Sequence, residues 1–368
     1  MRFSRARYPL VRRPDLRCNR PPRRRLWLLL VLALVTILTG SLLFVGAIPV
    51  GSGERSNETV SEKPPISEHG DWQGRRGIYL TSIVAARRDL LDGLADQAQK
   101  YGLNAIVIDV KDNSGIVAYD TQVPLARTIG AREVRLDLKT LVSDLKARGL
   151  YVIARQVVFY DPKLATYLKS RIAPWVYPSD PRVVSYNLAV AEEAASAGFD
   201  EVQFDYIRYP DDGKLQPVYQ ARYSAIANFV RQAHNRLHQK VNLSADVFGR
   251  TLWDWNLKRI DPIGQSLEDL MPYLDVISPM IYPSHYESRR YWDDPYGTIK
   301  LGLQNGLERD LKMRPFLQAF EMRLPAGMTE EQYILAQIRA ARELGFGSYL
   351  FWNPEGNYSA LWRALASD

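Results

Sequence analysis

From residue 77 onward, short apolar runs recur at a steady interval. They are GIYLTSIVA (77–85), AIVIDVKD (105–112), YVIARQVVF (151–159), EVQFDYIRYP (201–210), VNLSADVFG (241–249), DVISPMIYP (275–283), RPFLQAF (314–320) and GSYLFWNP (347–354). Several are apolar almost throughout, the pattern of strands buried on both faces. Helical spacing fills the gaps: residues 88–101 place Leu90, Leu91, Leu94 and Ala98 on one face. Residues 136–148, 187–197, 219–238, 265–273 and 330–344 repeat it. Gly102, Gly149, Gly198 and Gly345 stand where helix patterns stop, the place of a left-handed C-terminal cap. Eight strand–helix alternations predict an α/β fold, a (β/α)8 TIM barrel spanning residues 74–368. The alternative is a doubly wound open sheet, which usually carries a glycine-rich phosphate turn after its first strand. The segment TSIVAARRD that follows here has none.

Charge changes the picture at the N-terminus. The chain has 368 residues and a net charge of +7, yet residues 1–25 hold ten Arg against Asp15 alone. The rest of the chain is therefore slightly acidic. A nucleic-acid-binding body would carry its own basic face, so no nucleic-acid partner is expected. Leu26–Val45 has no charged residue, and the next charge is Glu54. Twenty apolar residues match one bilayer core at about 1.5 Å each. Residues 26–48 are read as a transmembrane helix, a signal anchor behind the basic cytoplasmic tail 1–25, with the barrel extracytoplasmic. The competing reading is a signal sequence cleaved near Val45-Gly46-Ala47, giving a secreted protein. Both export the body. Residues 49–73, polar and rich in Pro, Gly, Ser and Glu, read as a flexible linker. Cys18 is the single cysteine, which excludes an intramolecular disulfide and a multi-thiolate metal site.

A TIM barrel does its chemistry at the carboxyl ends of its strands. Alternation puts Gln203 and Asp205 on one face of the fourth run, and Ser244 and Asp246 on one face of the fifth. Asp205 and Asp246 would sit on adjacent strands, at the spacing that paired-carboxylate glycosidases use. One would be nucleophile or base, the other a proton donor with a raised pKa. The structural reading is that either Asp pairs with Arg155 or Arg208 as scaffold. Asp109 and Asp112 flank Lys111, and either bind substrate hydroxyls or form a rim network with that lysine. Arg155, Gln203, Arg208, Tyr282, Gln318, Glu321, Trp352 and Asn353 complete the candidate substrate-binding set. Glu321 falls on the opposite face from Gln318 by alternation, and Glu355 reads as a cap of the last helix. The strand-exit segments are rich in aromatics, among them Trp175, Tyr206, Trp253, Tyr286, Tyr291, Trp292 and Trp352, which suit the apolar faces of sugar rings.

Other chemistries fail on missing parts. His234 and His238 are spaced i, i+4 but enclose no HExxH glutamate, and no G-x-S-x-G elbow is present. No metal and no cofactor are expected.

The segments GFDEVQFDYIRYPDDG (198–213), LSADVFG (243–249), DVISPMIYPSHY (275–286) and LFWNP (350–354) resemble the "putative glycoside hydrolase" TIM-barrel domain family of bacteria. The chain is similar there to bacterial barrel lipoproteins that share an FDYIRYP-type fourth strand. The likeness runs over about residues 74–360, and FDYIRYP is its most specific element. It implies a barrel acting on extracytoplasmic polysaccharide or cell-wall glycan, with Asp205 as leading catalytic carboxylate and Asp246 as its partner. Two functions stay open: a membrane-tethered glycoside hydrolase, and a non-catalytic glycan-binding or cell-wall-associated barrel.

Overall fold

Arg76–Leu80 (β1) pairs in parallel with strands from both ends of the chain, and this closes a barrel. The computed structural model describes residues 71–211 and 220–368. The expected tail, anchor and nearly all of the linker lie outside the described residues. Within them, no helix is long and apolar enough to cross a membrane. After β1 come β2 (Ala105–Lys111), β3 (Val117–Tyr119), β4 (Arg132–Leu136), β5 (Tyr151–Val157), β6 (Glu201–Asp205), β7 (Asn242–Phe248), β8 (Val276–Met280), β9 (Phe316–Gln318) and β10 (Tyr349–Trp352). The parallel circuit runs β1-β2-β5-β6-β7-β8-β9-β10 and returns to β1. Each of its eight strands lies within, or within one residue of, one of the eight apolar runs. The fold is a (β/α)8 TIM barrel.

Several elements were not legible in the apolar rhythm. β3 and β4 stand outside the circuit, with β3 antiparallel to β2 and β4 parallel to β3. The helix Pro295–Glu308 is another. Its Gly297, Gly302 and Gly306 weaken the helical pattern, and a Cβ on Gly306 would displace the end of the Met313 side chain. Elsewhere the expected helices form, at Arg88–Lys100, Leu138–Ala147, Gln220–Leu237 and Glu330–Glu343. The helix read over 187–197 begins earlier, at Pro181, because Asp180 caps it by accepting from the Arg182 amide at 2.9 Å. The stretch 265–273 makes only a short helix, Leu267–Leu270, before a 3-10 turn. Gly102, Gly149, Gly198 and Gly345 all take positive φ, as their cap positions require.

Two apolar layers result. The larger lies between the outer strand faces and the helices. The smaller fills the barrel interior with Tyr79, Ala105, Val107, Tyr151, Ile153, Tyr282, Phe316 and Leu350. Low in the interior a charged pair replaces apolar filling. Glu201 accepts from both terminal nitrogens of Arg314, from the Tyr151 hydroxyl at 3.0 Å and from Ser244, and both charged side chains are fully buried. Arg314→Leu should therefore lower stability by about 3–5 kcal/mol, because it strands a buried carboxylate. Chemical denaturation would show it, and a loss under 1 kcal/mol would mean Glu201 finds water or another donor.

Candidate active site

The upper end of the barrel interior is polar because inward positions of neighbouring strands there carry charge. β2, β5, β6 and β7 supply Asp109, Arg155, Asp205 and Asp246, and each of the four is almost fully buried. Arg155 sits between the three carboxylates. Its Nη1 donates to Asp109 Oδ1 at 2.5 Å, and its Nε donates to Asp205 Oδ2 at 3.1 Å. Nη2 also donates to Asp205. The same Nε lies 3.5 Å from Asp246 Oδ2. The facing oxygens of Asp205 and Asp246 are thus no further apart than the sum of those two short distances.

The carboxylates differ in their partners. Asp205 receives donors on both oxygens, the second from the Tyr206 amide at 2.5 Å. That amide is aimed by a left-handed residue: Tyr206 has φ 54°, which ends β6 and turns the chain. Asp109 accepts the Tyr79 hydroxyl at 2.6 Å as well as Arg155. Asp246 has no hydrogen-bond partner on either oxygen. Burial, and then the charge of Asp205, pushes the Asp246 carboxyl well above the usual carboxylate range. Burial raises Asp109 too, against the opposing pull of Arg155 and the Tyr79 hydroxyl. The buried Tyr282 hydroxyl also lacks a partner, and burial, Asp246 and Asp205 hold its proton on. Two buried groups, Asp246 and Tyr282, are therefore free to bond something that enters the mouth.

Trp352 gives the mouth its aromatic wall. It is half-buried, stacks on Tyr79 at 3.7 Å between ring centroids, and lies 4.8 Å from the Arg155 guanidinium. Gln203 lies one layer deeper, fully buried, and donates to Ser278 at 3.0 Å.

The remaining candidates are not brought into this cluster. Asp112 caps a turn, accepting from the Ser114 and Ile116 amides and pairing with Arg135. The expected rim network with Lys111 does not form. The register of β2 against β5 shifts between Asp109 and Lys111, which turns Lys111 out of the barrel to a buried pair with Asp161 at 2.8 Å. Arg208 follows the Tyr206 turn into an aromatic box at the rim. It lies 4.5 Å from the Trp175 ring and 4.4 Å from Phe248, and pairs with Asp211. Gln318 spends its amide on the protein, accepting from Ser284 N and Tyr333 and donating to the Phe320 carbonyl. Asn353 likewise donates to Ala319 and Asn357 carbonyls and accepts from the Glu355 amide, fastening the loop after β10. Glu321 is exposed on the loop after β9, and Glu355 is exposed beside Asn353. His234, in the helix Gln220–Leu237, and His238, just beyond its end, stack on each other. Among the described residues no group of three His, Cys, Asp or Glu side chains is arranged to hold a metal ion.

Tyr79 is the site residue that sequence reasoning missed. β1 ends at Leu80 because Thr81 caps a helical turn, which leaves Tyr79 as its last interior residue. A tyrosine amid the apolar residues of that run was the available signal.

The family model described as "Putative glycosyl hydrolase domain" matches residues 77–358. No curated protein matches the chain. Among solved structures, the PgaB (BpsB) glycoside hydrolase domain of Bordetella bronchiseptica superposes with a TM-score of 0.58 at 16% identity, over 79% of this chain and 98% of that one. The endo-β-1,4-mannanase of Thermotoga petrophila gives 0.53 at 9% identity, over 77% of this chain and 68% of its own. The spore cortex-lytic enzyme SleL of Bacillus cereus gives 0.51 at 12%, over 79% and 73%. At such identities these likenesses show the shared barrel fold.

Proposed function

The chain belongs to that glycosyl hydrolase domain family, and from this premise we propose that it is a membrane-tethered, extracytoplasmic enzyme that hydrolyses O-glycosyl bonds of a polysaccharide. One observation carries the reading. Two carboxylates on adjacent strands meet at one Arg155 nitrogen, one of them wrapped in donors and the other without any. Asp246 keeps its proton and gives it to the leaving oxygen. Asp205 faces the anomeric carbon as nucleophile or charge stabiliser. Arg155 is a cation near a carbon that becomes positive, so its charge must be offset, and Asp109 does this. With Asp246 neutral, the four groups leave one negative charge, the sign an oxocarbenium-like transition state calls for.

The Arg-rich tail and the apolar run 26–48 support the tether and the export. The test is a panel of cell-envelope and plant polysaccharides incubated with the full chain, read as new reducing ends. Release that scales with enzyme supports the hydrolase. The Asp205–Arg155 pairing favours the second reading, a glycan-binding barrel, and saturable binding without release would move the assignment there.

Trp352→Ala should raise KM roughly tenfold and leave the pH profile in place, since it removes a stacking face and no titrating group. An unchanged KM would make Trp352 a packing residue.

A further inference from the structure

Tyr79 joins the two working parts of the mouth. Its hydroxyl donates to Asp109 at 2.6 Å, and its ring stacks within 14° of parallel on Trp352. The guanidinium of Arg155 lies over the Tyr79 ring at 5.2 Å. Its backbone is held as firmly as its side chain. The Tyr358 hydroxyl accepts from the Tyr79 amide at 3.1 Å and meets the Tyr79 carbonyl at 2.6 Å. The same hydroxyl meets the Phe351 carbonyl and the Asn353 amide, on either side of Trp352. One buried oxygen therefore ties the β1–β10 seam, and with it the relative placement of Tyr79 and Trp352.

We propose that Tyr79 is a positioning residue of the carboxylate site, fixing the Asp109 carboxyl that holds Arg155 between Asp205 and Asp246 while backing the Trp352 ring. The proposal rests on the glycosidase reading for its effect on turnover, but its structural core does not. The physical reason lies in the surroundings of Asp109. Facing it are Tyr79 from β1, Arg155 from β5 and, beyond the guanidinium, Asp205 and Asp246 from β6 and β7. Asp112 comes just after its own strand, and the register shift carries Lys111 away. Burial favours the neutral acid there, and the Tyr79 hydroxyl is one of the groups that favour the anion. Without it, Asp109 takes up a proton at higher pH. Arg155 then loses its counter-charge and leans on Asp205 alone.

Tyr79→Phe keeps the ring stack and removes only the donor. With a polymer the wild type cleaves, it should lower kcat about tenfold, hold KM within about twofold, and move the acidic limb of kcat/KM up by about half a unit to one unit. A purely structural role would lower Tm and leave that limb in place, and this result would overturn the proposal. Asp109→Asn removes the titrating group, so Tyr79→Phe should add little on top of it. Additive losses in that double-mutant cycle count against the proposal. A second readout needs no turnover. In full-length protein labelled with carbon-13 at the aspartate carboxyls, the Asp109 signal should titrate at higher pH in Tyr79→Phe than in wild type. An unchanged midpoint refutes the positioning role, whereas absent wild-type turnover on every glycan refutes only the glycosidase reading.

Discussion

Asp205→Asn should cut turnover by about 10³–10⁵-fold, the usual cost of removing a group that acts directly on the reacting centre. The substitution is nearly isosteric. Asn keeps one carbonyl oxygen to accept from Arg155 Nε, and Nη1 of the same guanidinium still holds Asp109. The Tyr206 turn keeps its backbone anchors too, since Val158 N donates to the Asp205 carbonyl and Phe159 N to that of Tyr206. The fold should therefore survive, with circular dichroism and Tm close to wild type. What is lost is the negative charge facing the sugar. KM should change little, because the Trp352 face and the free Asp246 and Tyr282 groups are untouched. Initial rates from reducing-end release would measure the loss. Activity within tenfold of wild type would remove Asp205 from the chemistry and leave it a scaffold partner of Arg155.

The carboxylates could be found from sequence because strand alternation survives inside β6 and β7. Counting by two from Gln203 and Ser244 reaches Asp205 and Asp246 without knowing any long-range contact. The same counting failed where local geometry departs from a regular strand. In β2, the shift after Asp109 sends Lys111 to the opposite side, and its partner Asp161 comes from the segment after β5. In the FDYIRYP run, the left-handed Tyr206 ends the strand, so Arg208 belongs to the rim box and not to the interior. Gln318 and Asn353 do lie at strand ends, as read, but their amides are spent on neighbouring loops. Polarity at a strand end cannot tell a group that holds a loop from one that waits for substrate. That distinction rests on an unpartnered atom, and Asp246 has it.

Asp246→Asn should separate activity from stability. Its folded-state pKa is raised above the unfolded value of about 3.9. Below that value both states hold the proton, and the carboxyl costs the fold nothing. As pH climbs toward the raised folded value, the unfolded chain sheds its proton while the folded chain must keep it, so stability drains away. Asparagine carries no such cost. The variant should match wild type near pH 4 and exceed it at neutral pH, by about 0.5–2 kcal/mol if it behaves like other relieved functional compromises. Chemical denaturation at several pH values would show a gap that widens with pH, and a constant gap would mean Asp246 titrates normally. Turnover of the natural polymer should fall by about 10²–10⁴-fold, the usual contribution of a proton donor. An aryl glycoside with an acidic leaving phenol needs no such donor, so its cleavage should fall far less. Equal losses on both substrates would deny Asp246 the acid role and point to Tyr282, whose interior hydroxyl also lacks a partner, as the donor to test.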